Sequence, residues 1–197
     1  MTYEKHLALG QYNSLDIISL CQKISTEEIP VDVKSIDIFY DYTDNNKKII
    51  KREEKVIVIT TQLMRKQMLN KHIDNFFIDV TYKIVPKFLE KYKLLTITGV
   101  DNETNNTYII ALILMKYEDT ISFIKIFKYM KDMYNFNPGV VHIDYSLSLR
   151  KAFLSENLYS KKPIIVHCFF HFIQAIVKKM KKLDIIKKIL LKDHLRL

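Results

Sequence analysis

Glycine and proline are scarce in this chain, three and four among 197 residues. Long flexible linkers draw heavily on both, so the composition argues against a string of loosely tethered modules. Cysteine is scarcer still: Cys21 and Cys168 lie far apart in sequence, each in apolar surroundings. Two such residues make no disulfide framework and point to a reducing compartment. The N-terminus shows no signal pattern, and no apolar run reaches the roughly 20 residues that a membrane span requires. The expectation is a soluble, intracellular protein with no membrane partner.

What the chain does contain is apolar residues, at 48%, enough for a real core in one sizeable domain, or one domain plus a small appendage. Charge is informative by location. Residues 1–70 carry ten basic and ten acidic side chains, so the whole formal charge of +9 lies in residues 71–197. Residues 151–197 alone hold eleven basic and three acidic side chains. Such an asymmetry suits a polyanion, because neutralising phosphates releases counterions, and it equally suits a solvated lysine-rich helix face.

The first 30 residues are weakly patterned. Ser14 to Ile24 fits a short helix burying Ile17, Ile18, Leu20 and Cys21, closed by Pro30. Alternation from Val31 to Tyr40, the turn residues Asp44-Asn45-Asn46, and a return over Ile49 to Ile59 predict a β-hairpin. Thr60 or Thr61 then caps a helix to about Asn70. These residues contain no metal-ligand cluster and read as a small α+β extension over 1–70.

From Asn75 the pattern tightens. Phe76 to Lys83 reads as a buried strand, broken by Pro86; Leu94 to Val100 and Thr107 to Met115 follow as an antiparallel meander with short connections. Asp119 or Thr120 opens a helix to Tyr134 with Phe123, Ile126, Phe127 and Met130 at helical spacing. Val140 to Asp144 is a strand, Leu147 to Leu158 a helix, Ile164 to Cys168 a strand, and Phe170 to Lys182 a helix. Three antiparallel strands followed by α-β-α-β-α is the α/β order of the ribonuclease H-like fold, here over residues 71–183.

Two carboxylates stand out in that order. Asp79 interrupts Phe76-Phe77-Ile78-Asp79-Val80, and Asp144 ends Val140-Val141-His142-Ile143-Asp144. A carboxylate among apolar residues is costly unless a cation or donors meet it. Two strands delivering one each to a sheet end suit Mg²⁺ or Mn²⁺, which take hard oxygen ligands, with Asp79 as the bridging ligand. Each Asp can instead cap a turn or pair with a lysine. In His167-Cys168-Phe169-Phe170-His171, the pair Cys168 and His171 can approach across a strand-to-helix junction. A closed zinc site needs four ligands and no second pair lies nearby, so a buried Cys and a hydrogen-bonded His is the simpler reading. A nucleophilic Cys–His pair lacks an evident orienting group. Beyond them, Lys178, Lys179, Lys181 and Lys182 line a helix whose stripe of Ile173, Ile176, Val177, Met180 and Leu183 is expected to pack. DNA backbone, an anionic membrane surface and plain solubility all fit these lysines; phosphate would be read as charge, with little sequence information.

Four stretches, in order, resemble the transposase domain of Mutator-like elements over about Thr60 to Leu183. Asp79-Val80-Thr81-Tyr82 with Pro86 resembles that family's first catalytic Asp motif, and Leu94 to Val100 its second strand. Asp144-Tyr145-Ser146 with Ala152-Phe153 resembles the second catalytic Asp and the helix behind it. Cys168-Phe169-Phe170-His171, continuing to Ala175, resembles its Cys-x-x-His motif. The resemblance implies a ribonuclease H-like core with an Asp-Asp-Glu triad and Mg²⁺ or Mn²⁺. It implies DNA as partner and not a small-molecule substrate, action as a homo-oligomer, and nuclear location in a eukaryote. It also implies that Cys168 and His171 lie close to the active site. Position 146 is Ser where the family often has Glu. The third acid is expected on a helix well beyond His171, whereas the acids after Asp144 are Glu156, Asp184 and Asp193, none at that place. Residues 184–197 then read as the start of a truncated α-helical insertion. The expectation is an incomplete, inactive transposase core, with a DNA- or partner-binding remnant using the basic helix as the alternative.

Overall fold

The alternation that begins at Val31 produces a long hairpin: β1 (Val31–Thr43) pairs antiparallel with β2 (Ile49–Thr61), from Val31 opposite Thr61 to Thr43 opposite Ile49. The computed structural model describes residues 31–43, 47–81, 90–156 and 158–182. The helix expected at Ser14 to Ile24, Pro30, the Asp44-Asn45-Asn46 turn, Tyr82 to Pro86 and residues 184–197 lie outside the described residues. Thr61 ends β2 and caps α1 (Gln62–Met68), its hydroxyl accepting from the Met64 amide at 3.2 Å.

The meander follows as β3 (Ile73–Thr81), β4 (Lys93–Asp101) and β5 (Thr107–Met115), antiparallel throughout. Ile57, Val58 and Ile59 of β2 pair with Leu114, Ile113 and Leu112 of β5, so the hairpin extends the same sheet. Gly99 of β4 sits where a Cβ would come within 2.5 Å of Ile73 Cγ2, a close approach that a side chain would obstruct. The chain then turns helical. Asp119 caps α2 (Thr120–Tyr134) by accepting from the Ile121 and Ser122 amides at 3.1 and 2.9 Å, and Asn135 ends it at φ 55°. β6 (Val140–Ile143) runs parallel to β3, and β7 (Ile164–His167) parallel to β6. Between them α3 (Leu147–Phe153) is shorter than the expected run to Leu158. The chain leaves the helix to bury Leu158 and Tyr159, and Lys131 Nζ donates to the Leu158 carbonyl at 2.7 Å. α4 (Phe169–Lys182) closes the described chain.

The result is a mixed α/β architecture with one seven-stranded sheet, ordered β1-β2-β5-β4-β3-β6-β7. One face carries the core: Val56, Val58, Phe76, Ile78, Leu95, Ile97, Ile113, Val141 and Ile143 pack with Phe123, Ile126, Phe127 and Met130 of α2 and Leu149 and Phe153 of α3. The Phe127 ring lies 4.4 Å from that of Phe153, and Phe76 meets Phe136 edge-on at 5.1 Å. Alternation along the strands sends the intervening residues to the other face. There Ile109, Thr98, Phe77, His142 and Val166 are successive cross-strand neighbours from β5 to β7. Phe77 stacks on His142 at 4.2 Å and remains 40% exposed, so this row is open. No helix among the described residues is long and apolar enough to cross a membrane.

Candidate active site

The two aspartates emerge from adjacent parallel strands. Ile78 of β3 is in register with Ile143 of β6, and Asp79 and Asp144 are the residues that follow each. They therefore stand at matching positions on strands about 5 Å apart. Both continue the alternation of the open face, Asp79 two residues after Phe77 and Asp144 two after His142.

Each carboxylate is held differently. Asp79 is 51% exposed; its Oδ2 accepts from the Thr81 hydroxyl at 2.9 Å, and its Oδ1 lies 3.7 Å from His171 Nε2. Asp144 is half-buried, and its Oδ1 accepts from the Ser146 amide at 2.9 Å, fixing the turn that leads into α3. Ser146 in turn caps α3 through a hydroxyl that accepts from the Leu149 amide at 3.3 Å. One loop thus presents a carboxylate and starts a helix.

The third wall comes from the β7–α4 junction. The Cys168 amide donates to the Ile143 carbonyl at 2.7 Å, continuing the ladder beside Asp144. The Phe172 amide donates to the Cys168 carbonyl at 3.1 Å, so the helix begins at once. That first turn carries His171 back across the strand ends to Asp79. His171 Nε2 thus faces Asp79 beyond hydrogen-bond distance, and its Nδ1 is buried with no hydrogen-bond partner among the described residues. No group of three His, Cys, Asp or Glu side chains among the described residues is arranged to hold a metal ion. Glu156 is exposed in the loop after α3.

The model of the MULE transposase domain matches residues 75–175. The chain belongs to this family. No curated protein and no solved structure matches it. The MULE match runs from β3 into α4 and includes Asp79, Asp144, Cys168 and His171, while the hairpin and α1 precede it. Membership carries a transposase-related role and, with it, interaction with DNA.

Lys178, Lys179, Lys181 and Lys182 lie just past the MULE match, all exposed on α4. The expected packing of their helix is corrected here. No residue of α4 is buried, and Phe172, Ile173, Ile176 and Val177 are all exposed. An amphipathic stripe records that a helix face wants cover, without recording which element supplies it. The sequence also left two features of this MULE site unassigned. His167 Nδ1 lies 3.2 Å from the Asp144 carbonyl, and the His167 ring stacks on Tyr145 at 4.5 Å with 5° between planes. His142, under Phe77, lies 3.4 Å from Asn75 Oδ1 through Nε2, and burial holds its pKa below the ordinary 6.5. Only the adjacency of His167 to Cys168 hinted at the first; nothing local marked the second.

Proposed function

We propose that the chain is the core of an Asp-Asp-Glu transposase with the ribonuclease H-like topology, presenting two of the three acids that metal-dependent DNA cleavage and strand transfer use. The observation that carries this reading is the pairing of Asp79 and Asp144 at matched register positions on adjacent parallel strands, in a chain of the MULE family. The strand order β5-β4-β3-β6-β7, three antiparallel and then two parallel additions, supports the topology. The donor set suits a hard divalent cation: two carboxylates project from neighbouring strand ends, one of them half-exposed. Mg²⁺ or Mn²⁺ held by Asp79 and Asp144 would supply water activation and charge neutralisation at a phosphodiester. The protein's own part is positioning. The Thr81 hydroxyl holds Asp79, with His171 Nε2 facing it at 3.7 Å, and the Ser146 amide orients Asp144. Such a core would work on DNA, in the nucleus if the cell is eukaryotic, and as a homo-oligomer.

The test has two parts. Mn²⁺ relaxation enhancement of water protons should report binding by the 197-residue polypeptide and should be lost in Asp79→Asn and in Asp144→Asn, with the circular dichroism unchanged. Relaxation indifferent to both substitutions refutes the metal reading. With no third acid at the site among the described residues, the same polypeptide should not nick supercoiled plasmid in Mg²⁺ or Mn²⁺. Nicking that disappears in Asp79→Ala would show that two acids suffice.

A second reading, a non-catalytic DNA-binding role for α4, is favoured by one observation: its lysines are exposed on a helix with no buried residue. It expects salt-sensitive duplex binding that survives Asp79→Ala and Asp144→Ala. Neutralising Lys178, Lys179, Lys181 and Lys182 should flatten the log–log salt dependence by roughly 0.9 for each phosphate that is no longer neutralised. An unchanged slope excludes the helix as the DNA-binding element.

A further inference from the structure

We propose that Tyr145, backed by His167, is a stacking platform for an unpaired nucleobase of DNA bound at the strand ends beside the carboxylate site. The inference rests on the DNA reading above and specifies the state of the DNA that the site takes. Tyr145 follows Asp144 directly, in the turn closed by the Ser146 amide on the Asp144 carboxylate. Its ring is stacked on the His167 imidazole, with centroids 4.5 Å apart and planes within 5°. His167 is itself set by the 3.2 Å approach of its Nδ1 to the Asp144 carbonyl. Phe172, from the first turn of α4, flanks Tyr145 at 6.1 Å and 39°. The ring is thus oriented by a stacked neighbour and a third ring, yet Tyr145 remains 52% exposed.

A large aromatic side chain held rigid and left half in solvent is ready for another flat group. The surroundings favour a nucleotide. Tyr145 is the chain neighbour of Asp144, and His167, in register with Ile143, stands on the core side of the strand ends, so the platform would meet DNA that passes from the carboxylates round that edge. The exposed lysines begin at Lys178, nine residues into α4 from Phe169, or about 14 Å along the helix axis. A backbone followed from the platform along α4 therefore meets positive charge. Aromatic stacking with a lysine-lined track is how single strands are held without sequence readout. An internal base pair keeps both faces inside the duplex, so away from duplex ends the platform can engage only a base that is unpaired or turned out.

The experiment compares binding of the 197-residue chain to a fully paired duplex with binding to the same duplex carrying a short 3′ single-stranded overhang, at one fixed salt concentration. A second overhang carries 2-aminopurine, whose fluorescence falls on stacking. The overhang should bind roughly ten-fold tighter than the blunt duplex, in line with the worth of one aromatic–base stack. Tyr145→Ala should abolish that preference and the 2-aminopurine quench while leaving blunt-duplex affinity unchanged, and Tyr145→Phe should retain both. An abasic residue in the overhang should reproduce the Tyr145→Ala loss in the wild type and add nothing to it in the variant. Blunt-duplex binding without overhang preference, or a preference that survives Tyr145→Ala, overturns this inference alone. Absence of binding to either DNA overturns it together with the DNA reading on which it rests.

Discussion

Glu54 is the most consequential buried charge in the described structure, and its removal tests how the hairpin is tied to the MULE core. It lies on β2, outside the family match, and is 0% exposed. Its Oε1 accepts from the Lys116 and Tyr117 amides at the end of β5, the latter at 3.0 Å, and its Oε2 accepts from the Ser122 hydroxyl of α2 at 2.7 Å. One carboxylate therefore joins three elements. Glu54→Ala strands the two amides in a largely buried site, while the Ser122 hydroxyl keeps the Tyr40 hydroxyl at 3.1 Å. At about 1–3 kcal/mol for each unsatisfied buried group, and allowing for water to enter the space left, the expected loss is about 4 kcal/mol. For a chain of this size that lowers the melting temperature by roughly 8–16 °C. Glu54→Gln keeps one oxygen for the amides and turns its NH₂ toward Ser122, whose hydroxyl can accept, so it should cost about 1–2 kcal/mol. Urea unfolding followed by circular dichroism measures both. A Glu54→Ala variant within about 0.5 kcal/mol of the wild type would refute the reasoning, since that is the size of a surface substitution. So would equal damage from Gln and Ala, which would trace the effect to net charge and not to the three donors.

Three further outcomes follow from the same structure. Phe127→Ala opens a cavity among Phe123, Phe136 and Phe153 and should cost about 3–5 kcal/mol in the same urea assay; Phe127→Leu should cost much less. Because burial holds His142 below its ordinary pKa of 6.5, the unfolded chain takes up this proton first as pH falls. Stability should therefore decline as pH drops through about 6.5 and level off below the folded value, and His142→Phe should remove that part of the slope in a pH series of melts. Arg52 Nη1 donates to Asp119 Oδ2 at 2.8 Å, beside the Tyr40 hydroxyl that also donates to Asp119. Arg52→Ala and Tyr40→Phe should be non-additive in a double-mutant cycle on stability, because both substitutions act on one carboxylate.

The sequence was most legible where one face of an element is buried. Phe123, Ile126, Phe127 and Met130 sit at helical spacing, and all four are fully buried in α2. The Thr107–Met115 strand has the bounds that its apolar run suggested. Caps were legible too, since Thr61 and Asp119 carry side-chain acceptors immediately ahead of helical periods. What stayed hidden was long-range pairing. Nothing in Ile57-Val58-Ile59 says that these residues will lie against Leu112 to Leu114, more than 50 residues on, because a strand's alternation specifies a face and not a neighbour. The Asp144–Asp79 pairing was reachable only through an assumed topology. The Tyr145–His167 stack, 22 residues apart in sequence, was not reachable at all.

Two unsatisfied surfaces now bound the same site. The open sheet face shows Ile109, Phe77 and Val166 in one cross-strand row, and α4 shows Phe172, Ile173, Ile176 and Val177 without cover among the described residues. Asp79 and Asp144 continue the first surface at its strand ends, and His171 belongs to the first turn of the second. A catalytic carboxylate gains from the exclusion of water, because charge interactions strengthen as the local dielectric falls. With Asp79 half-exposed, the electrostatics of this site are those of a surface, and its affinity for a divalent cation should be correspondingly weak. Mn²⁺ relaxation titrations in low and high salt decide the point. Binding by an open site should weaken markedly as salt rises, whereas affinity insensitive to salt would mean that Asp79 and Asp144 are already shielded and that the exposed faces do not govern the site.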